Sequence, residues 1–215
     1  MTTTKSPMMR TLMLVVPAAV LIAVVLMAVN QVTTPPTAGT NRSAAAQGGA
    51  LGPADAKVKV EVFSDFQCPH CRDFAVNVEP QIFQEYVDTG KIQFIYRHLI
   101  VIGPDSVSAG QASECAGAQS QFWPYHDKLF TMQGIRGAFT IESLKKYAGE
   151  LKLNQAAFDQ CLDNQVFEEK VRLDSQEGPA RGARSTPTTF VNGLMIVGTQ
   201  GFDVYQRAID AALAG

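Results

Sequence analysis

The alternation of hydrophobic and polar residues predicts a β–α–β unit close to the middle of the chain. Val58, Val60 and Val62 alternate with Lys59 and Glu61, a pattern typical of a half-buried β-strand. Apolar residues then recur at helical spacing over residues 74–86, with a glycine just past the end. The segment KIQFIY at residues 91–96 predicts a second strand, because it is rich in aromatic and β-branched residues.

The rest of the chain predicts several helices, then a β-hairpin and a last helix. Helical patterns cover residues 104–119, 122–133, 141–151, 166–183 and 202–213, and a further helix is expected to begin after Asn154. Thr140 and Asn154 are suitable N-caps for two of these helices. Asn192-Gly193, between two short apolar segments, is a strong hairpin signal. The order predicts an α/β fold with a helical insert at about residues 103–180.

The N-terminal region predicts one membrane-spanning helix. Residues 12–29 carry no charge and would span roughly 27 Å as a helix, close to the thickness of a bilayer core. Lys5 and Arg10 precede this segment, so we expect residues 1–11 in the cytoplasm and the remainder outside. Two alternatives stay open: a signal peptide that is cleaved, and a buried core helix.

Composition supports this division of the chain. Residues 1–50 carry three basic side chains and no acidic one, whereas the remaining residues carry a net charge of −5. Residues 30–54 are rich in Thr, Pro, Ala and Gly and predict a linker to a domain at residues 55–214. The overall charge of −2 gives no electrostatic reason to expect nucleic-acid binding. A hydrophobic content of 46% excludes a disordered chain.

Four cysteines carry the candidate chemistry. Cys68 and Cys71 form a C-x-x-C motif at the start of the predicted helix, where local pairing is expected. This pairing leaves Cys115 and Cys161 for a structural disulfide, which an exported domain permits. The alternative for Cys115 and Cys161 is two separate buried thiols.

The surroundings of Cys68 predict a reactive thiolate. A helix N-terminus offers unpaired N–H groups and positive potential, and both lower a thiol pKa. His70 adds positive charge when protonated, and Pro69 suits a first helical turn. A stabilised thiolate stabilises the reduced form, which makes the disulfide a strong oxidant.

Two other interpretations of the C-x-x-C motif stay open. The motif could supply half of a zinc site, although structural zinc usually needs a second close pair of ligands. It could also be a purely structural disulfide. We expect no metal site, and no cofactor, because the cysteine pair is itself the redox group.

Three separated motifs resemble the DsbA-like family of thioredoxin-fold proteins. They are SDFQCPHC after the first strand, FWPYHDKLF in the insert and STPTTFVNG near the end, in that order. The resemblance covers about residues 55–214. It implies a thioredoxin fold with an inserted helical domain, acting as an extracytoplasmic thiol–disulfide oxidoreductase.

The resemblance also implies roles for particular residues. Cys68 would be the exposed nucleophile and Cys71 the buried resolving thiol. Thr186-Pro187 matches the cis-proline loop of the family, and the backbone of Thr186 would pair with the bound substrate. Some members also have a disulfide in the insert, as we expect for Cys115 and Cys161.

The sequence departs from the family pattern at two places. Many members have an acidic residue six positions before the first cysteine, where this chain has Val62. The neighbouring Glu61 would point to the other face of the sheet, and Asp65 is a weaker candidate for proton transfer. Arg184 stands where an apolar residue is more usual, and we hypothesise that it adds positive potential near Cys68.

The remaining aromatic and histidine residues of interest have structural interpretations. We expect Phe122 and Trp123 in the core of the insert, and His98 and His126 as partly buried structural residues.

The sequence therefore predicts a membrane-anchored monomeric thiol oxidase that introduces disulfides into reduced exported proteins. The resemblance implies reoxidation by a quinone-linked membrane partner, either DsbB-like or a vitamin K epoxide reductase homologue. Two alternatives stay open: a reductase or isomerase in the same compartment, and a non-catalytic binding module on a thioredoxin scaffold.

Overall fold

A computed structural model describes residues 48–215, which contain a five-stranded sheet and the helices that cover it. The elements are β1 (Ala50–Leu51), β2 (Val58–Ser64), α1 (Pro69–Asn77), α2 (Glu79–Ile82), a π-helical turn (Phe83–Val87), β3 (Ile92–His98), α3 (Pro104–Gly117), α4 (Phe122–Met132), α5 (Ile141–Glu150), α6 (Gln155–Asp163), α7 (Glu168–Ala180), β4 (Thr188–Val191), β5 (Leu194–Val197) and α8 (Phe202–Ala214).

The sheet has the order β1-β3-β2-β4-β5. Strands β2 and β3 are parallel, and the other neighbouring pairs are antiparallel. The β4–β5 hairpin turns at Asn192 and Gly193, which have φ angles of 45° and 92°. Both central residues have positive φ, as the tight turn predicted for Asn-Gly requires. The predicted bounds of this hairpin are confirmed.

The helix predicted over residues 74–86 is wrong as a single continuous element. Helix α1 ends at Asn77, and Val78 has a φ of −113° before α2 begins. Pro80 explains the break, because a proline inside a helix removes one backbone hydrogen bond and clashes with the preceding turn. Glu79 follows directly after the break and lies in the protein interior, where its residue exposure is 2%.

The prediction of a linker over residues 30–54 is wrong for residues 50–51, which form β1. Ala50 and Leu51 lie opposite Ile95 and Phe94 of β3. Two residues give no detectable alternation, so the hydrophobic pattern could not reveal this strand.

The two faces of the sheet bury unequal cores. The larger core contains Val58, Val60, Val62, Phe74, Ile82, Phe83, Phe94, Tyr96, Trp123, Tyr205 and Ile209. The smaller core, on the opposite face, contains Phe63, Leu99, Ala183 and Phe190. Helix α7 approaches this face closely at Gly178, where an added Cβ would lie 3.1 Å from the Phe63 ring.

Helices α3–α7 are inserted between β3 and β4. Thr140 and Asn154 cap α5 and α6, because their side-chain oxygens accept hydrogen bonds from the N–H groups of Ser143 and Ala157. Cys115 of α3 and Cys161 of α6 are joined in a disulfide. This is an α/β thioredoxin-type arrangement with a helical insertion.

Within residues 48–215, none of the helices combines the length and the apolar character that crossing a bilayer requires. The helix predicted at residues 12–29 lies outside the described part of the chain.

Candidate active site

Cys68 and Cys71 lie where β2 leads into α1. Cys68 is the N-cap of α1, with extended backbone angles, and Pro69 occupies the first helical position. The first turn of α1 contains no acidic residue, so nothing there offsets the positive potential of the helix N-terminus. Both cysteines are free thiols in this structure.

The expectation of an exposed Cys68 is wrong. Its residue exposure is only 5%, and that of Cys71 is 0%. The loop at Thr186 and Pro187 causes this burial. The Cys68 thiol donates a hydrogen bond to the carbonyl oxygen of Thr186, with Sγ and O 3.4 Å apart.

Hydrogen bonding lowers the pKa of Cys68 from 9.0 to about 5. The largest cause is a hydrogen bond from the Cys71 side chain, whereas burial of the Cys68 sulfur acts to raise the pKa. The side chain of Thr186 and the backbone N–H groups of Cys71 and His70 lower the pKa further. Cys68 is therefore a thiolate at neutral pH when the pair is reduced.

Burial raises the pKa of the Cys71 thiol far above its ordinary value, and the hydrogen bond to Cys68 raises it further. The side chain of Ser64 and the backbone N–H of Asp65 interact with this sulfur and oppose the rise. The N–H of Asp65 lies 3.5 Å from Cys71 Sγ. The two cysteines therefore differ strongly in acidity, which is the asymmetry that thiol–disulfide exchange uses.

Thr186–Pro187 is a cis peptide bond, and both residues are buried beside Cys68. The structure thus brings together the two segments that the sequence separates by more than a hundred residues. The backbone of Thr186 faces the sulfur of Cys68, as the resemblance implies for a substrate-pairing residue.

Two side chains from distant elements hold the C-x-x-C segment in place. Gln133, at the end of α4, donates from Nε2 to the carbonyl oxygens of Phe66 (2.6 Å) and Cys68 (3.0 Å). Thr199 donates from Oγ1 to the carbonyl oxygen of His70 at 2.6 Å. The helical insert and the β5–α8 loop therefore both fix the active-site backbone.

Three residues near the cysteine pair contribute less directly to the acidity of Cys68 than the sequence suggests. Pro69, His70 and Arg184 are exposed. The contribution of His70 to the acidity of Cys68 comes from its backbone N–H.

The zinc alternative does not fit, because Cys115 and Cys161 are bonded to each other and cannot complete a metal site with the C-x-x-C motif. A second cluster, of His98, Glu114 and Asp174, is buried between β3, α3 and α7. The ammonium of Lys170 lies 3.2 Å from Glu114 Oε1 and 2.8 Å from Asp174 Oδ2. Since Lys170 supplies the positive charge, this cluster is an internal ion-pair network.

The residues expected in the core are there. Phe122 and Trp123 are buried, and His98 and His126 are buried more completely than expected, with residue exposures of 1% and 0%. Ser64, Tyr96, Gln133 and Thr199 were not identified from the sequence. Of these four residues, only Ser64 could have been found from the sequence, because it begins the SDFQCPHC motif. The other three are distant from the motif in sequence, and the fold brings them close to it.

Comparisons with known proteins agree with this geometry. Residues 45–211 match the family described as Thioredoxin. The chain is 33% identical over 171 residues to the "Probable disulfide bond formation protein D" of Bacillus anthracis, covering 76% of this chain and 77% of that protein. The corresponding "Disulfide bond formation protein D" of Bacillus subtilis is 29% identical over 177 residues, with 77% of each chain covered.

A solved structure has the same fold. Oxidised BdbD from Bacillus subtilis superposes with a TM-score of 0.72 and 29% identity, covering 79% of this chain and 94% of that one.

Proposed function

Since this chain belongs to the DsbA-like branch of the thioredoxin family and is a thiol–disulfide oxidoreductase, we propose that it introduces disulfide bonds into reduced exported proteins. The observation that carries the proposal is the position of Cys68 at the N-cap of α1, next to Thr186 and the buried Cys71. This position lowers the pKa of Cys68 to about 5 and raises that of Cys71. A thiolate stabilised in the reduced protein makes the Cys68–Cys71 disulfide oxidising.

The geometry supports a two-step exchange. A substrate thiolate attacks Cys68 Sγ, the Cys68–Cys71 bond breaks, and Cys71 leaves. A second substrate thiolate then attacks the substrate sulfur of the mixed disulfide, and Cys68 leaves as a stabilised thiolate. The cysteine pair accepts the two electrons, so the proposed reaction uses no cofactor.

The cis-proline loop supports the binding of an extended substrate segment. Thr186 presents its backbone beside Cys68, with its carbonyl oxygen 3.4 Å from Sγ. A substrate strand that pairs with this backbone would place its own cysteine against Cys68.

The proposed location is the outer side of a cell membrane, with residues 12–29 as the anchor. The charges of Lys5 and Arg10 before an uncharged segment support this orientation. A quinone-linked membrane protein of the DsbB or vitamin K epoxide reductase type would reoxidise the cysteine pair, and the protein would act as a monomer.

The test is the reduction potential of the Cys68–Cys71 pair in the full-length protein, equilibrated in glutathione buffers. We expect a value well above that of thioredoxin, toward about −120 mV. The oxidised protein should also oxidise a reduced, unfolded secretory protein, and Cys68→Ala should abolish this activity.

A potential near about −270 mV would contradict the proposal and indicate a reductase. Reshuffling of mispaired disulfides without net oxidation would indicate an isomerase. A biological function that survives Cys68→Ala would indicate a binding module.

A further inference from the structure

The loop between β3 and α3, residues 99–103, presents apolar side chains at the surface. Val101 and Ile102 have residue exposures of 46% and 54%. Apolar side chains that cluster at a surface often mark an interaction site, so the surroundings of this pair are of interest.

Hydrogen bonds join this loop to the segment that precedes Cys68. Asp65, whose residue exposure is 1%, accepts hydrogen bonds at Oδ2 from the backbone N–H groups of Val101 (2.9 Å) and Ile102 (3.1 Å). The backbone carbonyl oxygen of Asp65 accepts a hydrogen bond from the N–H of Cys68 at 3.0 Å. One residue therefore contacts both the apolar loop and the active-site turn, and it fixes the position of the loop relative to Cys68.

The strand order places this loop on one side of Cys68 and the cis-proline loop on the other. Strand β2, which leads to Cys68, lies between β3 and β4 in the sheet. Because β2 and β3 are parallel and β4 is antiparallel to them, the end of β3, the end of β2 and the start of β4 lie at the same edge. A polypeptide that is bonded to Cys68 and paired with Thr186 can therefore extend onto the β3–α3 loop.

A groove continues from this loop between α3 and α7. Its apolar lining comes from Ile100, Val107 and Val171, and its volume is about 240 Å³. Small-molecule sites usually have volumes of about 300–1,000 Å³, so this smaller groove suits one or two side chains of a peptide. The hydroxyl of Ser175 accepts a hydrogen bond from the N–H of Ile100 at 3.0 Å, which holds the loop against α7.

The charges at the groove indicate which class of side chain it accepts. The exposed residues of its lining are Glu168, Arg172 and Gln176, so one acidic and one basic side chain offset each other. This rim gives no electrostatic preference for a charged ligand, whereas removing the apolar lining from water is favourable. The groove therefore fits an uncharged, apolar side chain such as that of leucine.

The distance between the groove and Cys68 suits a single extended polypeptide. Asp65 lies one hydrogen-bonded turn before Cys68 and contacts the N–H of Val101. The Cα atoms of Ile100 and Cys68 are therefore within about 20 Å of each other. An extended chain rises about 3.3 Å per residue, so about six residues cover this distance.

We propose that the groove between α3 and α7 binds an apolar side chain of the substrate polypeptide, within about six residues of the cysteine that attacks Cys68. This inference rests on the proposed oxidase function and adds a sequence preference to it. Unfolded proteins expose the apolar side chains that they bury on folding, so such a groove favours unfolded over folded substrates.

The test compares matched peptides as substrates of the oxidised full-length protein. Each peptide is polar and contains two cysteines, and the two members of a pair differ only in having leucine or serine at one position. The pairs cover each position up to six residues from the cysteines. Oxidation is followed by alkylation and mass measurement, and we expect kcat/KM to be about tenfold higher with leucine at the position that reaches the groove.

Val107→Asp tests the groove itself. Val107 is half-buried near the start of α3, where an acidic residue is compatible with the helix N-terminus. A carboxylate in the apolar lining should reduce the leucine preference to about twofold or less. Leu194→Asp is the matched control, because Leu194 is exposed on β5, at the opposite edge of the sheet from the β1–β3 side, and it should keep the full preference.

Val107→Phe separates binding in the groove from general adhesion to an apolar surface. The larger ring occupies the groove and stays apolar, so binding in the groove predicts loss of the leucine preference, whereas adhesion predicts that the preference remains. This variant also serves if Val107→Asp fails to fold, which thermal melts would show. Dithiothreitol is too small to reach the groove from Cys68, so its rate of oxidation should be the same in all variants.

Equal rates with leucine and serine peptides in the unaltered protein would overturn the groove and leave the oxidase function standing. A preference that persists in both Val107→Asp and Val107→Phe, or slower oxidation of dithiothreitol in both, would also overturn it. A change in oligomeric state in Val107→Asp would indicate that a second copy of the chain occupies the groove instead. Failure of the unaltered protein to oxidise any of the peptides would overturn the proposed function.

Discussion

The two cysteine pairs of this molecule consist of the same side chains but differ in reactivity. Cys68 and Cys71 are free thiols at the start of α1, and hydrogen bonds to the sulfur of Cys68 stabilise its negative charge. Cys115 and Cys161 are joined across 46 residues and link α3 to α6. The first pair is surrounded by donors, whereas Cys115 lies in the last turn of α3, away from the helix N-terminus.

The difference shows that the position of a cysteine pair in the fold, and the hydrogen bonds that this position allows, decide which disulfide exchanges. A thiolate at a helix N-terminus is a good leaving group, so its disulfide opens readily. A disulfide between two packed helices of an insert chiefly restricts the unfolded chain. Three experiments can break or sharpen this comparison.

The largest expected effect is on acidity. Ultraviolet thiolate absorbance of the reduced protein should show Cys68 titrating near pH 5, about four units below the ordinary value of 9.0. Because the folded-state pKa is lowered, the resulting stabilisation of the reduced protein is complete only near pH 9 and is lost as the pH falls through 5. The Tm of the reduced form relative to the oxidised form should therefore rise between pH 5 and 9.

Cys68→Ser cannot form the Cys68–Cys71 disulfide, so its own Tm is compared with that of the oxidised unaltered protein, and this difference should not rise between pH 5 and 9. The insert disulfide should remain intact. Above pH 9 the raised pKa of Cys71 acts in the opposite direction, because the unfolded thiol ionises there and the folded one does not. If the Tm difference between the reduced and oxidised forms stayed constant from pH 5 to pH 9, this result would contradict the lowered pKa of Cys68.

The second effect is on stability. Replacing Cys115 and Cys161 together with alanine should lower the free energy of unfolding by about 4 kcal/mol, from the loop that the bond closes. The reduction potential of the Cys68–Cys71 pair should remain unchanged. Denaturant unfolding and glutathione titration of the same variant measure the two quantities. A shifted potential would show that the insert disulfide communicates with the site.

The smallest effect concerns the side chains that support the active-site backbone. Gln133→Ala removes two N–H donors from carbonyl groups next to Cys68, whose dipoles then oppose the thiolate. Since such a hydrogen bond contributes about 1 kcal/mol, the pKa of Cys68 should rise by about half a unit to one unit.

Arg184→Ala is the matched control for Gln133→Ala, because Arg184 is exposed and solvent screens its charge. We expect a smaller change in the Cys68 pKa than Gln133→Ala produces. A larger change would revive the hypothesis that Arg184 supplies positive potential to the site.

Much of the fold was predictable because it follows local patterns. The alternating valines of β2, the capping residues Thr140 and Asn154, and the Asn192-Gly193 turn each specify an element through neighbouring residues. The proposed reactivity of the C-x-x-C motif likewise depends on its position at the start of a helix, which the sequence shows.

Other features depend on contacts that local patterns do not encode. The two-residue β1 exists only because β3 offers an unpaired edge. The burial of Cys68 depends on the loop at Thr186, and the buried position of Glu79 depends on the break at Val78. Gln133 reaches Cys68 across 65 residues of sequence, so no spacing argument could connect them.

The single tryptophan of the chain has a useful position. Trp123 packs against His126, with ring centroids 5.0 Å apart, and against Phe83 and Phe94. Trp123 belongs to the helical insert, whereas Phe94 belongs to the sheet. The native fluorescence of this protein is therefore an unlabelled optical gauge of the packing between the insert and the sheet.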